Sequence, residues 1–476
     1  MSAARNLVVI LVDQLRRLAL GRGGDPSAAT PRIDRLAAQG TWFDAACSSV
    51  PVCVPFRFTF MTGLTAQSRF VPDIEWRMSP AERTLADRFN EAGHETCYIG
   101  KWHLYGGHAL LPGHSEVKAN RTPVPRHHQG RWKHWRAFEI GNRHFDASYF
   151  VDGDPTPVPM HGYQSDVLTD VAIAWMDAHR ARSGAPFCLV LSVEPPHPPY
   201  QAPPELERRW LDADIWLPPN FMSKLDRERL VPTVLPEFVE RRIDRPADRE
   251  LQLRQRRLYH AMVENLDANV GRLLDHLDAT GLSRDTAVVL TADHGELGGA
   301  HSSHGKEEPY EESIGTPLIV RVPGGEAGRV VREPTCSEDL LPTLCGLCGV
   351  PAGPGLPGID LTPAITGPDA RLPRDGVLLG LVAELRHTMR FHVQTWRAIR
   401  TSRHLYSVLG GVDGGTPWQL YDLHTDPWQL SNLIADPAHR ALAERLHAQL
   451  RALLVAESDH YVLAPAFGQP GLNLWR

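Results

Sequence analysis

Two hydrophobic textures alternate over the first 350 residues. Residues 6–12 (Asn-Leu-Val-Val-Ile-Leu-Val) form an apolar run with no polar alternation, as expected of a parallel strand buried on both faces. Thr30-Pro31 then reads as an N-cap followed by Pro at the first helical position. The pattern over 32–39 predicts a helix that stops at Gly40. The alternation repeats, with helical periodicity at 85–92, 165–182 and 250–280 and strand-like runs at 96–99, 187–193, 286–291 and 317–322. In the longest helix Leu258, Met262, Leu266, Val270, Leu273 and Leu277 fall on one stripe, and Gly281 closes it. This βαβα order predicts an α/β fold, a large and mostly parallel sheet sandwiched by helices.

Beyond residue 350 the texture changes. Residues 351–367 are rich in Pro and Gly and read as a linker or long loop. Short strands at 396–400, 405–408 and 419–423, then a helix at 440–455, predict a small α+β unit. The expected division is an N-terminal catalytic domain over 1–370 and a C-terminal subdomain, with a small antiparallel sheet and helix, over 371–476. Residues 105–150 show no clear period and many His, Arg and Trp. They read as an irregular, substrate-facing insertion.

Composition narrows the partners. With 50 Lys and Arg against 56 Asp and Glu, the formal net charge of −6 argues against a nucleic-acid binder built on a basic surface. No apolar stretch approaches the ~20 residues of a membrane span. Nor is there a signal peptide, because Asp13 ends the short apolar run that follows Arg5. The expectation is a cytoplasmic protein, or a periplasmic or secreted one if a leader has been removed. The seven cysteines are odd in number and widely spread, which speaks against a disulfide scaffold. Cys345 and Cys348 have zinc-like spacing but no second pair, so a core role is expected of them.

Candidate chemistry lies where strands end, because ligands of open α/β sheets bind beyond the carboxyl ends of the strands. The first strand runs into Asp13-Gln14. The strand over 286–291 runs toward Asp293-His294-Gly295-Glu296. Oxygen donors from one strand end, with a carboxylate and an imidazole from another, could hold a hard divalent cation. Each pair alone reads equally well as turn or N-cap residues. A third element is Cys53-Val54-Pro55-Phe56-Arg57. If Cys53 opens a helix, Pro55 falls in the first turn and Arg57 lies one turn beyond Cys53, at a positive helix end suited to an anion. The plainer alternative is a buried cysteine with a surface arginine.

Together these elements resemble the type I, formylglycine-dependent sulfatases of the alkaline phosphatase superfamily. Cys53-Val54-Pro55-Phe56-Arg57 matches the family's C-x-P-x-R signature, and Met61-Thr62-Gly63 continues it. Gly100-Lys101-Trp102-His103 matches the G-K-W-H element, and Pro196-His197-Pro198 resembles P-H-x-P. Asp293-His294-Gly295-Glu296 through His301, Lys306 and Tyr310-Glu311-Glu312-Ser313 follows the second metal segment. Leu420-Tyr421-Asp422-Leu423, Asp426-Pro427 and Asn432-Leu433 look like the C-terminal signature. The matches run in order along nearly the whole chain.

The resemblance implies hydrolysis of sulfate monoesters, on a sulfated carbohydrate or an aryl sulfate. Cys53 would be oxidised by a formylglycine-generating enzyme to an aldehyde, whose hydrate attacks sulfur from a divalent cation. Asp13, Gln14, Asp293 and His294 would be metal ligands, with modified Cys53 as a further one. Calcium is the favoured ion, with magnesium and manganese as alternatives. Gln14 and His294 stand where many relatives carry Asp and Asn, and Phe56 where Ser is common. Arg57 and Lys101 would hold the hydrate and neutralise charge, and His103 would be the base that regenerates the aldehyde. His197 and Lys306 would bind sulfate and protonate the leaving group. Two rivals are a phosphonate monoester hydrolase or phosphodiesterase of the same superfamily and a non-catalytic binder of sulfated glycans. The former usually lacks the G-K-W-H element, and the latter would not need every catalytic position filled.

Less specific candidates remain beside these. His127, His128, Asn142 and His144 could touch substrate or be solvated loop residues, and His301 could support the metal segment. Trp76, Trp132 and Trp135 could stack on a sugar or pack. Arg77 could contact an anion or be a surface charge.

Overall fold

The computed structural model describes residues 3–71, 74, 76–107, 119–221, 246–367, 371–382, 395–410, 415–463 and 467. Residues 108–118 of the insertion over 105–150 and the boundary expected near residue 370 thus lie outside the described residues.

Ten strands build the main sheet: β1 (Asn6–Val12), β2 (Thr41–Phe43), β3 (Glu95–Lys101), β4 (His134–Phe138), β5 (Ser148–Val151), β6 (Val158–Pro159), β7 (Phe187–Val193), β8 (Thr286–Ala292), β9 (Leu318–Arg321) and β10 (Arg329–Val331). Their order is β10-β2-β9-β8-β1-β7-β3-β4-β5-β6. The central block β8-β1-β7-β3-β4 is parallel throughout. Antiparallel pairings of β9 on one side and β5 and β6 on the other make the whole sheet mixed.

Both faces of β1 are covered, which is why its sequence reads as an unbroken apolar run. Leu7, Val9 and Leu11 enter one core with the helices Cys53–Thr62, Leu85–Glu91 and Leu340–Leu347. Val8, Ile10 and Val12 enter the opposite core with the helices Pro31–Gln39, Gln164–Arg182 and Pro246–Ala279. The predicted stripe of the last helix, Leu258 to Leu277, is buried. No helix among the described residues is long and apolar enough to cross a membrane. Cys345 and Cys348 pack in or against the first core, as expected.

Two sequence expectations are corrected. The insertion over 105–150 is not wholly irregular, since β4 and β5 extend the main sheet. Of the two readings open for Trp132 and Trp135, packing holds: they are buried around Tyr98, whose ring lies 5.3 and 5.7 Å from theirs. The stretch over 351–367 is not a free linker. It contains the helix Thr362–Thr366, and Leu361, Ala364 and Ile365 join the first core.

A second sheet is antiparallel in the order β11 (Gly376–Leu381), β12 (Trp396–Thr401), β13 (His404–Leu409) and β14 (Thr416–Asp422). Its strand β11 was not foreseen. One face packs on the helix Arg440–Ala456 through Tyr406, Val408, Leu420, Leu446 and Leu450. The other face, with Leu379, Trp396 and Ala398, joins the first core.

Where the two sheets meet, the Gly380 amide donates to the Ser49 carbonyl at 2.8 Å, and the Ser49 hydroxyl donates to the buried Glu338 carboxylate. Burial pushes the Glu338 carboxyl up to about 7, although the Ser49 hydroxyl pulls it back. The folded protein therefore holds a proton here that the unfolded chain releases above about 4.5. Stability is expected to fall as pH rises between these values, by about 3 kcal/mol from this group. Glu338→Gln should flatten that part of the curve in urea unfolding measured from pH 4.5 to 8. An unchanged slope would rule the group out.

Candidate active site

The register of the parallel block gathers the candidate residues before any side chain is considered. Val12 of β1 is level with Ala292 of β8 and with Val193 of β7. The next residues, Asp13 and Asp293, therefore leave the sheet side by side. Their amides bond back to the Val193 and Val12 carbonyls at 3.0 and 3.2 Å. Gly100 of β3 is level with Ser192 of β7, so Lys101 leaves beside them. Only glycine fits at position 100, where φ is +99° and a Cβ would lie 1.9 Å from the Ser192 carbonyl oxygen.

The helix Cys53–Thr62 points its first turn at these strand ends. It is buried along its whole length and stops at Gly63, which takes a left-handed conformation and bonds to the Thr59 carbonyl at 2.7 Å. Cys53 and Arg57, one turn apart, both enter the site. The Cys53 Sγ lies 3.1 Å from His294 Nε2, 3.4 Å from Lys306 Nζ and 3.7 Å from Asp13 Oδ1. Arg57 donates to Ser192 Oγ and to the Lys101 carbonyl, both at 2.9 Å, and to Asp293 Oδ2 at 3.1 Å. Lys101 Nζ donates to Asp13 Oδ2 and faces Glu194 at 3.9 Å.

Asp13, Cys53, Asp293 and His294 each present a ligand atom within 4.8 Å of the others, and all four are buried. The His294 Nδ1–H donates to the Gly295 carbonyl at 3.0 Å, so Nε2 carries the lone pair aimed at the cluster. Burial, with help from Lys306, lowers this imidazole to about 4 against the pull of Asp293 and Asp13, so it is neutral. Burial alone would raise the Asp13 carboxyl, yet Lys101, His197, Arg57 and His294 hold it well below the usual carboxylate range. Gln14 has a left-handed backbone, and its amide donates to Asp293 Oδ1 at 2.9 Å. Its side-chain Nε2 donates to Glu296, leaving Oε1 toward Lys306 Nζ at 3.1 Å. Two carboxyl groups, a neutral imidazole and a carbonyl-type oxygen make a donor set that suits a hard divalent cation.

His197 completes the far side. Its Nδ1–H donates to the Pro198 carbonyl at 2.7 Å, and its Nε2 lies 3.4 Å from Lys306 Nζ. Burial, reinforced by Lys306 and Lys101, drives its pKa well below the ordinary value despite Asp13. Burial opposes the charge on Lys306, but Cys53, Asp13 and Asp293 raise its pKa, so the ammonium is the acidic partner of the pair. His103 is buried with a left-handed backbone, and its amide donates to the Glu139 carbonyl at 2.7 Å.

Asp13, Gln14, Cys53, Arg57, Lys101, His197, Asp293, His294 and Lys306 are thus linked to one another by direct contacts. Reading the sequence missed three that support it. Glu194 accepts the Gly141 amide at 2.9 Å and Gln164 Nε2 at 2.7 Å beside Lys101. Glu296 fixes which end of the Gln14 amide faces inward. Ser192 carries Arg57. Their shared signal is a polar residue at or just past the end of a buried strand. His144 supports from below, its Nε2–H donating to the His197 carbonyl at 2.7 Å. His301 stacks on Tyr310 with ring centroids 3.8 Å apart, and its Nε2 lies 3.2 Å from Asn220 Nδ2.

Comparisons with known proteins agree with this geometry. A family model described as Sulfatase matches residues 5–350, and one described as N-sulphoglucosamine sulphohydrolase, C-terminal, matches residues 299–456. The chain is 30% identical over 462 residues to an ulvan-active sulfatase of Formosa agariphila, covering 96% of this chain and 82% of that one. A protein solved with its substrate D-glucosamine-2-N,6-O-disulfate has the same fold, with a TM-score of 0.80 at 20% identity over 96% and 99% of the two chains. So does a phosphonate monoester hydrolase of Agrobacterium radiobacter, with a TM-score of 0.74 at 23% identity over 95% and 96%.

A cation in this cluster should stabilise the fold by about 2.7 kcal/mol at a hundredfold excess over its Kd. Thermal unfolding with and without Ca²⁺, after chelation, should show that rise. Asp293→Asn keeps an acceptor for Arg57 but removes a charge, and should abolish the response. A variant whose melting temperature still rises as in the wild type would remove Asp293 from the ligand set.

Proposed function

The chain belongs to the sulfatase family and is a sulfuric ester hydrolase, and from that footing we propose that Cys53 is its nucleophile after conversion to formylglycine. The observation that carries this is the convergence on one Sγ of His294, Lys306 and Asp13, with Arg57 and Lys101 behind them. Asp13, Gln14, Asp293 and His294 would hold one divalent cation, with calcium favoured by the oxygen-rich donor set. The cation supplies a Lewis acid that polarises the sulfate and acidifies the nucleophile's hydroxyl.

The remaining roles belong to this chain's own groups. Arg57 holds Asp293 pointed inward through its 3.1 Å hydrogen bond. Lys101 does the same for Asp13, and both add positive charge where the ester's oxygens gather it. His197 and Lys306 stand together, with Lys306 also reaching Cys53 and Gln14. Lys306 holds a proton 3.4 Å from His197 Nε2, so the pair can deliver it to a departing alkoxide while the neutral imidazole relays. His103 is the base that resets residue 53 once the alcohol has left. The substrate class is a sulfated saccharide, a reading favoured by the likeness to the ulvan-active sulfatase. Maturation would need a formylglycine-generating enzyme as a partner.

The site's charge favours a monoanion. Arg57, Lys101 and Lys306 face the carboxyl groups of Asp13 and Asp293, a balance that suits a monoanion approaching its transition state. A dianion would be held in the ground state instead, which does not raise kcat. Protein made together with a formylglycine-generating enzyme should therefore turn over 4-nitrophenyl sulfate with higher kcat/KM than 4-nitrophenyl phosphate. Peptide mass spectrometry should find the thiol of Cys53 replaced by an aldehyde. Full activity with an intact thiol would defeat the mechanism, and faster turnover of a phosphonate monoester than of every sulfate ester would put the phosphonate hydrolase reading in its place.

His197→Ala should cost more with an alkyl sulfate than with 4-nitrophenyl sulfate, because nitrophenolate leaves without a proton. The gap expected is ~10²-fold or more, the scale of general-acid assistance. His103→Ala should lose activity equally on both. Identical leaving-group dependence in the two variants would contradict this division.

A further inference from the structure

The segment that leaves β3 carries His103 and, two residues on, Tyr105. Glu139 fixes both: its backbone carbonyl accepts the His103 amide, and its carboxylate accepts the Tyr105 amide at 2.8 Å and the Gly107 amide at 2.9 Å. Tyr105 therefore sits within ~7 Å of chain from the proposed base. An exposed Arg77 joins it there. The two residues form an antiparallel bridge, and the Met78 amide bonds to the Leu104 carbonyl at 3.0 Å. Arg77 Nε donates to the Tyr105 carbonyl at 3.0 Å, and its guanidinium lies 4.3 Å over the Tyr105 ring. The stack continues through His128, whose ring is 4.8 Å from that of Tyr105, to the exposed His127 at 4.5 Å. Among the described residues no carboxylate pairs with Arg77.

From this arrangement we propose that Arg77, braced by Tyr105 and flanked by His127 and His128, is a subsite for a second anionic group on the saccharide whose sulfate ester is cleaved. The inference rests on the saccharide-sulfatase reading above. Nε and the ring face fix the plane of the guanidinium, and its two outer nitrogens have no hydrogen-bond partner among the described residues. A planar fork held in that way matches the two oxygens of a carboxylate or a sulfate, and little side-chain entropy is left to lose. The same stack argues against a quaternary ammonium substrate. The Tyr105 face that would receive it already carries a cation, and like charges repel at this distance.

Three disaccharides test it, each with the same scissile sulfate: one bearing a uronate, its carboxyl-reduced counterpart, and a neutral one bearing a second sulfate. The modified wild-type enzyme should prefer the uronate or the disulfated compound over the reduced one. Arg77→Ala should raise KM for the preferred compound about tenfold, the scale of one charge-assisted hydrogen bond, with kcat unchanged. Its kcat/KM for 4-nitrophenyl sulfate should stay within about twofold of wild type. Arg77→Gln serves as a second variant, and its circular dichroism and melting temperature should match wild type because the side chain is exposed. The compound that loses its advantage tells carboxylate from sulfate. No wild-type preference, or equal losses on the charged and reduced disaccharides, overturns the subsite while leaving the sulfatase reading intact. A wild-type enzyme inert to every sulfate ester overturns both.

Discussion

Two carboxylates, Asp13 and Asp293, stand next to each other in a place with no access to water. Moving one such charge out of water costs several kcal/mol even after relaxation, and placing two together adds repulsion. Nothing in the sheet's hydrogen bonding requires them. They are tolerable because Lys101 reaches Asp13 and Arg57 reaches Asp293, with Arg57 also 3.7 Å from Asp13. The four charged groups come from three strand ends and one helix, and each is the remedy for another's burial. Removing one cation would leave an unpaired buried carboxylate, which costs about 3–5 kcal/mol.

That mutual dependence sets the rest of the architecture. Arg57 can serve both acids only if its helix begins at residue 53, so the position of Cys53 and the charge network are one constraint. The helix in turn needs a loop that holds its start. Ser48 and Ser49 supply this, bonding to the Ile314 carbonyl at 2.8 Å and to Ser337 Oγ at 3.0 Å. The second sheet grips the same loop through Gly380. The C-terminal unit thus acts on the catalytic centre through the backbone before Cys53, although it supplies none of the clustered residues. A similar chain runs from Lys101 through Glu194 to the Gly141 amide and Gln164, and so fixes the loop that carries His144 beneath His197.

How much of this was legible depended on whether the physical cause was local. Strands β1, β7 and β8 could be read because burial on both faces leaves unbroken apolar runs. The long helix could be read from its stripe. The site residues stood out because functional side chains at strand ends interrupt those runs abruptly. Glu194, Glu296 and Ser192 were overlooked, because a polar residue there looks like any turn residue until its distant partner is known. Strand β4, His-Trp-Arg-Ala-Phe, mixes charged and aromatic residues because it lies near the sheet edge. Its partner β5 pairs across a distance that periodicity does not register. Trp132 and Trp135 could be read as sugar platforms or as core, because solvent-facing and core tryptophans have the same sequence signal. Strand β11, Gly-Val-Leu-Leu-Gly-Leu, follows a Pro- and Gly-rich stretch whose composition suggested disorder of pattern, when in fact its apolar residues cover the first core.

The same electrostatics bear on why residue 53 would need chemical change at all. A cysteine nucleophile works as a thiolate, and sites that use one lower its pKa with a helix end or a cation. Here burial, then Asp13, push the Cys53 thiol up to about 12, with Asp293 adding to them and Lys306 and Lys101 only partly opposing. The helix N-terminus is present but is outweighed. A thiolate would also be a soft ligand among hard oxygen donors, poorly matched to Ca²⁺ or Mg²⁺. A hydrated aldehyde meets both objections. Its hydroxyl oxygens are hard, and the oxyanion left when a base takes one proton would be stabilised by the surrounding positive charge without the carbon skeleton moving. The carboxylates that suppress the thiol are those that would hold the cation. A centre that would ionise a hydroxyl on a metal is for that reason a poor place to ionise a thiol, and the proposed conversion of Cys53 would reconcile its position with the charges around it.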